Sequence, residues 1–120
     1  MEQGPCPSWP SADRRVSRRV LVESEASSEL REAALWYEAE RSGVGLAFLT
    51  AVDRGMEQVA AWPETGTPVP GVSADLPVRK LSIPRFPYYL AYLVTDDAIH
   101  VLAVAHERRR PGYWHRRTGA

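Results

Sequence analysis

The sequence predicts an α+β domain in which a short strand and a pair of helices precede three strands of a small, mainly antiparallel sheet. Three observations carry that expectation. Residues 88–106 read YYLAYLVTDDAIHVLAVAH, dense in aromatic and β-branched side chains and interrupted once by a short acidic turn, which is the pattern of an antiparallel hairpin. Between residues 26 and 62, apolar residues recur at helical spacing on both sides of Ser42-Gly43. Residues 63–77 hold four prolines and two glycines, a loop that divides the helical part from the strands.

Residues 1–15 carry three prolines and few aliphatic side chains, so they are expected to form a disordered extension, with the folded domain spanning 16–114 and a basic tail at 115–120. RRVLVE, residues 18–23, alternates weakly and reads as a first strand. Ser24, Ser27 and Ser28 are candidate caps for a helix over 26–41, and Glu25 and Glu29 suit its N-terminal dipole. Leu30, Ala33, Ala34 and Tyr37 make its apolar stripe. Gly43 suits the left-handed position that ends it. A second helix over 45–62 places Leu49, Val52, Met56, Val59 and Ala60 on one face, with Leu49 and Val52 expected in the helix–sheet core. Met56 and Trp62 also read as core rather than cofactor contacts. Gly55 costs that helix roughly 1 kcal/mol relative to alanine, and close approach of the partner helix would explain it. So short a connection makes the two helices an antiparallel hairpin.

VRKLSI, residues 78–83, is a third-from-last strand bounded by Pro84 and Pro87. In the last strand, strict alternation puts His100, Leu102, Val104 and His106 on one face and Ile99, Val101, Ala103 and Ala105 on the other. Both faces are mostly apolar, so this strand is expected to be central and covered on at least one side.

Composition narrows the function. A chain of 120 residues, 44% hydrophobic and 25% charged, supports one ordinary globular domain. No apolar run approaches the roughly 18–20 residues of a membrane span, and the N-terminal segment has no apolar signal region. The single cysteine, Cys6, excludes an internal disulfide and suits a reducing, cytoplasmic setting. Net charge is zero but segregated. Residues 1–62 hold seven arginines against ten carboxylates, and residues 63–120 hold eight cations against five carboxylates. The basic half could face a polyanion or an acidic protein segment. No glycine-rich phosphate cradle is present, so no nucleotide cofactor is expected. His100 and His106, read as sharing a face roughly 20 Å apart, are too distant to share a metal, and no metal site is expected.

The segments ALWYEAE, FLTAVDRGMEQVAAWPE, VRKLSIPRFPYYLAYLV and IHVLAVAHERRRPGYW together resemble the RelE/ParE superfamily of toxins from bacterial type II toxin–antitoxin systems. The resemblance spans residues 18–114, and its most specific part is HERRRPGYW at the end of the last strand. It implies a twisted sheet with the helical hairpin on one face. It also implies a role in growth inhibition or plasmid stabilisation, and a cognate antitoxin whose mobile segment wraps the toxin.

The superfamily divides by target. RelE-like members resemble ribosome-dependent endoribonucleases that cut mRNA. That chemistry needs the 2′-OH activated, phosphorane charge stabilised and a proton given to the leaving oxygen. The candidates for it here are Arg79, Arg85 and His106, with Lys80, Arg108, Arg109 and Tyr113 as target-binding residues. Arg79 and Lys80 point to opposite faces, so without a bulge they cannot serve one site. Arg85 could instead anchor the Pro84–Pro87 turn, and His106 could be a strand-end histidine bonded to backbone. ParE-like members resemble non-enzymatic DNA gyrase inhibitors, and zero net charge with a sparse catalytic set leans this way. A non-toxic binding module or degenerate toxin is the remaining alternative.

Overall fold

The computed structural model describes residues 18–69, 78–109 and 113–118. The extension expected over 1–15, residues 70–77 of the long loop and Arg110 of the cationic run lie outside the described residues. The elements are β1 (Arg19–Val22), α1 (Ser24–Glu40), α2 (Val44–Ala61), β2 (Thr67–Pro68), β3 (Val78–Ser82), β4 (Tyr88–Val94) and β5 (Ala98–His106). Short 3-10 turns occupy Pro63–Thr65 and His115–Thr118.

The five strands form one open mixed sheet in the order β1-β5-β4-β3-β2. β1 lies parallel to β5 and every other pair is antiparallel. The fold is thus the expected α+β arrangement, with two additions: β1 joins the sheet beside the last strand, and the proline-rich loop contributes a two-residue edge strand paired to Arg79 and Lys80. β5 is central, as its two apolar faces require.

The helical hairpin closes tightly for identifiable reasons. α1 ends where the Arg41 N–H donates to Tyr37 O, and Gly43 follows at φ 92°, a left-handed conformation that glycine adopts without steric cost. The Glu38 carboxylate of α1 accepts from the N–H groups of Gly43 and Gly45 at 3.0 Å, satisfying donors that the start of α2 would otherwise leave open. A methyl at Gly45 would lie 2.6 Å from Ala34 O. Gly45, rather than Gly55, is therefore where the helices meet. Gly55 faces the sheet, and a methyl there would lie 3.2 Å from Ile83 Cδ1 and 3.3 Å from Leu90 Cδ1. None of the expected serines caps α1; Glu23 takes the cap position, its C=O accepting from the Ser27 N–H while its own N–H donates to Val101 O.

Two apolar layers flank the sheet. Between the helices and the sheet lie Ala26, Ala33, Ala34, Phe48, Val52 and Val59 from the helices and Ile83, Leu90, Tyr92, Ile99, Val101 and Val104 from the sheet side. On the opposite face lie Val78, Tyr89, Ala91, Leu102, Ala103, Ala105 and Trp114. The division breaks the strict alternation expected for β5. Ala91 pairs with Ala103 but Tyr92 pairs with Val101, so Leu102 is an extra residue, a bulge that shifts the parity of everything after it. Val104 and His106 consequently share the helical side with Ile99 and Val101, and His100 falls on the other side from His106. Two further expectations are corrected by burial. Val52 is core, but Leu49 is 39% exposed, and Trp62 is 51% exposed instead of buried.

Candidate functional site

His106 closes β5 directly opposite Tyr88, and their rings meet edge-on at 5.0 Å. Behind them an aromatic cluster of Tyr37, Phe48, Phe86 and Tyr88, with centroids 5.0–6.1 Å apart, joins both helices to this end of the sheet. Burial pushes the Tyr88 and Tyr37 hydroxyls above their ordinary pKa, so both are neutral donors at physiological pH. The half-buried His106 accepts the Arg108 backbone N–H on Nδ1 at 3.0 Å, which places the proton of a neutral ring on Nε2. Arg85 stands in the adjoining β3–β4 turn. The Phe86 N–H donates to Ile83 O, Pro84 occupies the second position and Arg85 the third at φ 74°, the geometry of a type II turn with arginine where glycine is usual. Its side chain is exposed, as is that of Arg108.

Arg79 is not part of this group. It lies opposite Tyr92, four residues from Tyr88 along β4 and so roughly 13 Å away. Its Nη1 donates to Gly66 O at 2.7 Å. The fully buried Tyr92 hydroxyl donates to Pro63 O at 2.7 Å and accepts from the Gly66 N–H at 2.9 Å. Together these bonds lock the turn after α2 onto the sheet. Of the three residues singled out for RNA cleavage, Arg85 and His106 share an end of the sheet and Arg79 serves the fold at the other. Lys80 lies on the opposite face, its ammonium 4.9 Å from the Tyr89 ring centroid.

The remaining candidates sit where the chain leaves β5. Arg109 is exposed and stacks its guanidinium over the Tyr113 ring at 4.0 Å. Trp114 is buried against the far face of the sheet with its Nε1 donating to the Tyr89 hydroxyl at 3.0 Å, and the His115–Thr118 turn follows it. Tyr113 donates to Glu29 Oε2 at 2.8 Å, and Arg117 pairs with Glu29 Oε1 at 3.1 Å while also donating to Leu102 O at 3.0 Å. In the sequence Glu29 gives no sign of this role. It reads there as a dipole charge no different from Glu25, because its partners are 75 to 88 positions away.

A separate apolar surface lies on the outside of the hairpin. Leu30, Ala34, Leu35, Leu46 and Leu49 line a groove of about 380 Å³, with Leu35 64% and Leu46 69% exposed. It continues past Asp53, Met56 and Glu57 toward Val20 and Val22 of the edge strand β1. Among the described residues no group of three His, Cys, Asp or Glu side chains is placed to hold a metal ion. No helix among them is long and apolar enough to cross a membrane.

Comparison with known proteins adds to this geometry. A family profile described as the ParE toxin of the type II toxin–antitoxin system parDE matches residues 20–111. No curated protein sequence matches. Among solved structures, the chain is similar to one described as a chromosomal ParDE TA system from P. aeruginosa, with a TM-score of 0.63 at 16% identity. The likeness covers 75% of this chain and 96% of that one, and at such low identity it speaks for the fold alone.

Proposed function

The chain belongs to the ParE toxin family of type II toxin–antitoxin systems, and from that premise we propose that it arrests growth by inhibiting DNA gyrase until a cognate antitoxin neutralises it. The observation that supports gyrase over mRNA is the dispersal of the catalytic candidates. Cleavage at one phosphate needs acid, base and charge stabilisers that all reach the same reacting atoms. Arg79 is instead bonded to Gly66 at the far end of the sheet. Arg85, Arg108 and Arg109 are exposed cations at the rim, an arrangement suited to gripping an acidic protein surface without chemistry. Such a target places the protein in the cytoplasm.

The groove along α1 and α2 is the place for the antitoxin. Its apolar floor suits the hydrophobic face of an amphipathic helix, and the open edge of β1 beyond it suits an extended segment adding as a strand. Burying Leu35, Leu46 and Leu49 in this way also accounts for their exposure in the isolated chain.

The deciding experiment is a supercoiling assay with purified gyrase. Saturating protein should block supercoiling, and induction in cells should give filamentation with DNA-damage signalling. Normal supercoiling at saturation would sink the gyrase assignment. The second reading, a ribosome-dependent endoribonuclease, draws on the shared position of Arg85, Tyr88 and His106, with His106 Nε2 carrying the proton. It requires new 5′ ends inside translated codons within minutes of induction, abolished by His106→Ala.

A further inference from the structure

β5 outruns its neighbour. β1 pairs with it only as far as Val101, and among the described residues no strand pairs with that edge from Leu102 onward. Side chains take the ladder's place there. Glu29 Oε1 accepts the Val104 N–H at 3.0 Å and Arg117 donates to Leu102 O at 3.0 Å. Satisfying the edge would need only one oxygen of the carboxylate. The second oxygen accepts from Tyr113, whose ring carries Arg109 at 4.0 Å and Arg117 at 5.2 Å. Glu29 thus joins helix α1, the bulged edge of β5 and the C-terminal segment.

We propose that Glu29 is a positioning residue for target binding: through Tyr113 it fixes the Arg109 guanidinium at the sheet's rim. The guanidinium is exposed and, among the described residues, makes no hydrogen bond or ion pair, which suits it to carboxylates on an acidic protein surface while the Tyr113 ring limits its orientation. Burial and the Glu29 bond raise the Tyr113 pKa, so the phenol remains the donor. Restricting a long cation in advance lowers the entropy lost when it binds. The proposal rests on the reading above that the rim cations meet the target.

Full-length wild type, Glu29→Ala, Glu29→Gln, Tyr113→Phe and, as a control on α1, Glu32→Gln would be compared in two assays. Native-state trypsin cleavage at the C-terminal arginines reads how firmly the segment is held. Inhibition of purified gyrase reads function. Glu29→Ala should speed that cleavage about tenfold or more, as expected for losing bonds to a charged acceptor. Glu29→Gln should fall between, inhibition should weaken in the same order, and Glu32→Gln should match wild type in both. Tyr113→Phe keeps the ring and the Glu29–Arg117 pair, so it carries the comparison should Glu29→Ala not fold. Cleavage no faster than wild type would overturn the proposal, as would a released segment with undiminished inhibition. A wild type that leaves gyrase untouched would defeat the target assignment instead, while the cleavage series would still decide whether Glu29 holds the segment.

Discussion

At one end of β4 the Tyr92 hydroxyl sits between Pro63 O and the Gly66 N–H, with Arg79 bonded to the same glycine and no part of the tyrosine exposed. At the other end Tyr88 meets His106 edge-on, and Arg85 and Arg108 project into solvent. Both are tyrosines of the same strand, each with an arginine from a neighbouring element at its end of the sheet. They differ in what lies within reach. The turn after α2 presents a carbonyl and an amide to the first pair, so these polar groups are consumed by the backbone and stabilise the fold. Among the described residues no such turn overlies the second pair, where type II geometry at Arg85 leaves the side chain exposed. A polar residue beside an unsatisfied main-chain group thus becomes structural, and the same residue beside a satisfied turn stays available to a partner.

Substitutions at the two ends should separate these roles. The largest effect belongs to Tyr92→Phe, which leaves Pro63 O and the Gly66 N–H buried without their partner. At about 1–3 kcal/mol for each of the two orphaned groups, chemical denaturation should show a loss of roughly 2–6 kcal/mol. A loss under about 0.5 kcal/mol would mean that the turn finds other partners and that the contrast between the ends is overstated. Arg85→Gly should act the opposite way. It removes a side chain from a left-handed position, which costs a non-glycine residue roughly 1–2 kcal/mol, so stability should hold or rise by up to about 1 kcal/mol. Gyrase inhibition should fall in the same protein. A destabilised Arg85→Gly would show that the arginine anchors the turn after all.

The smallest effect is shared by both ends. Burial raises the pKa of Tyr92 and Tyr88 above the ordinary value of 10. The unfolded chain therefore loses these protons before the folded one does, and stability should be level below about pH 10 and decline above it. An alkaline titration of the melting temperature should show this decline, and Tyr92→Phe should make it shallower. A melting temperature flat to pH 12 would contradict the assigned burial of the hydroxyls.

Much of the molecule is set by local pattern. Helical spacing around Ser42-Gly43, the density of β-branched and aromatic residues on either side of Thr95-Asp96-Asp97, and HERRRPGYW are all short-range signals. They suffice for the order of elements, the α+β class and the family. Tertiary structure decided what depends on partners distant in sequence or on a change of register. The bulge at Leu102 moves His106 to the face opposite His100, because one inserted residue inverts a period of two. Arg79 is committed to Gly66, 13 positions away, and Glu29 to residues up to 88 positions away. A carboxylate or guanidinium looks the same in the chain whether it will meet water or an unpaired backbone group, and only the folded edges and turns determine which of the two it meets.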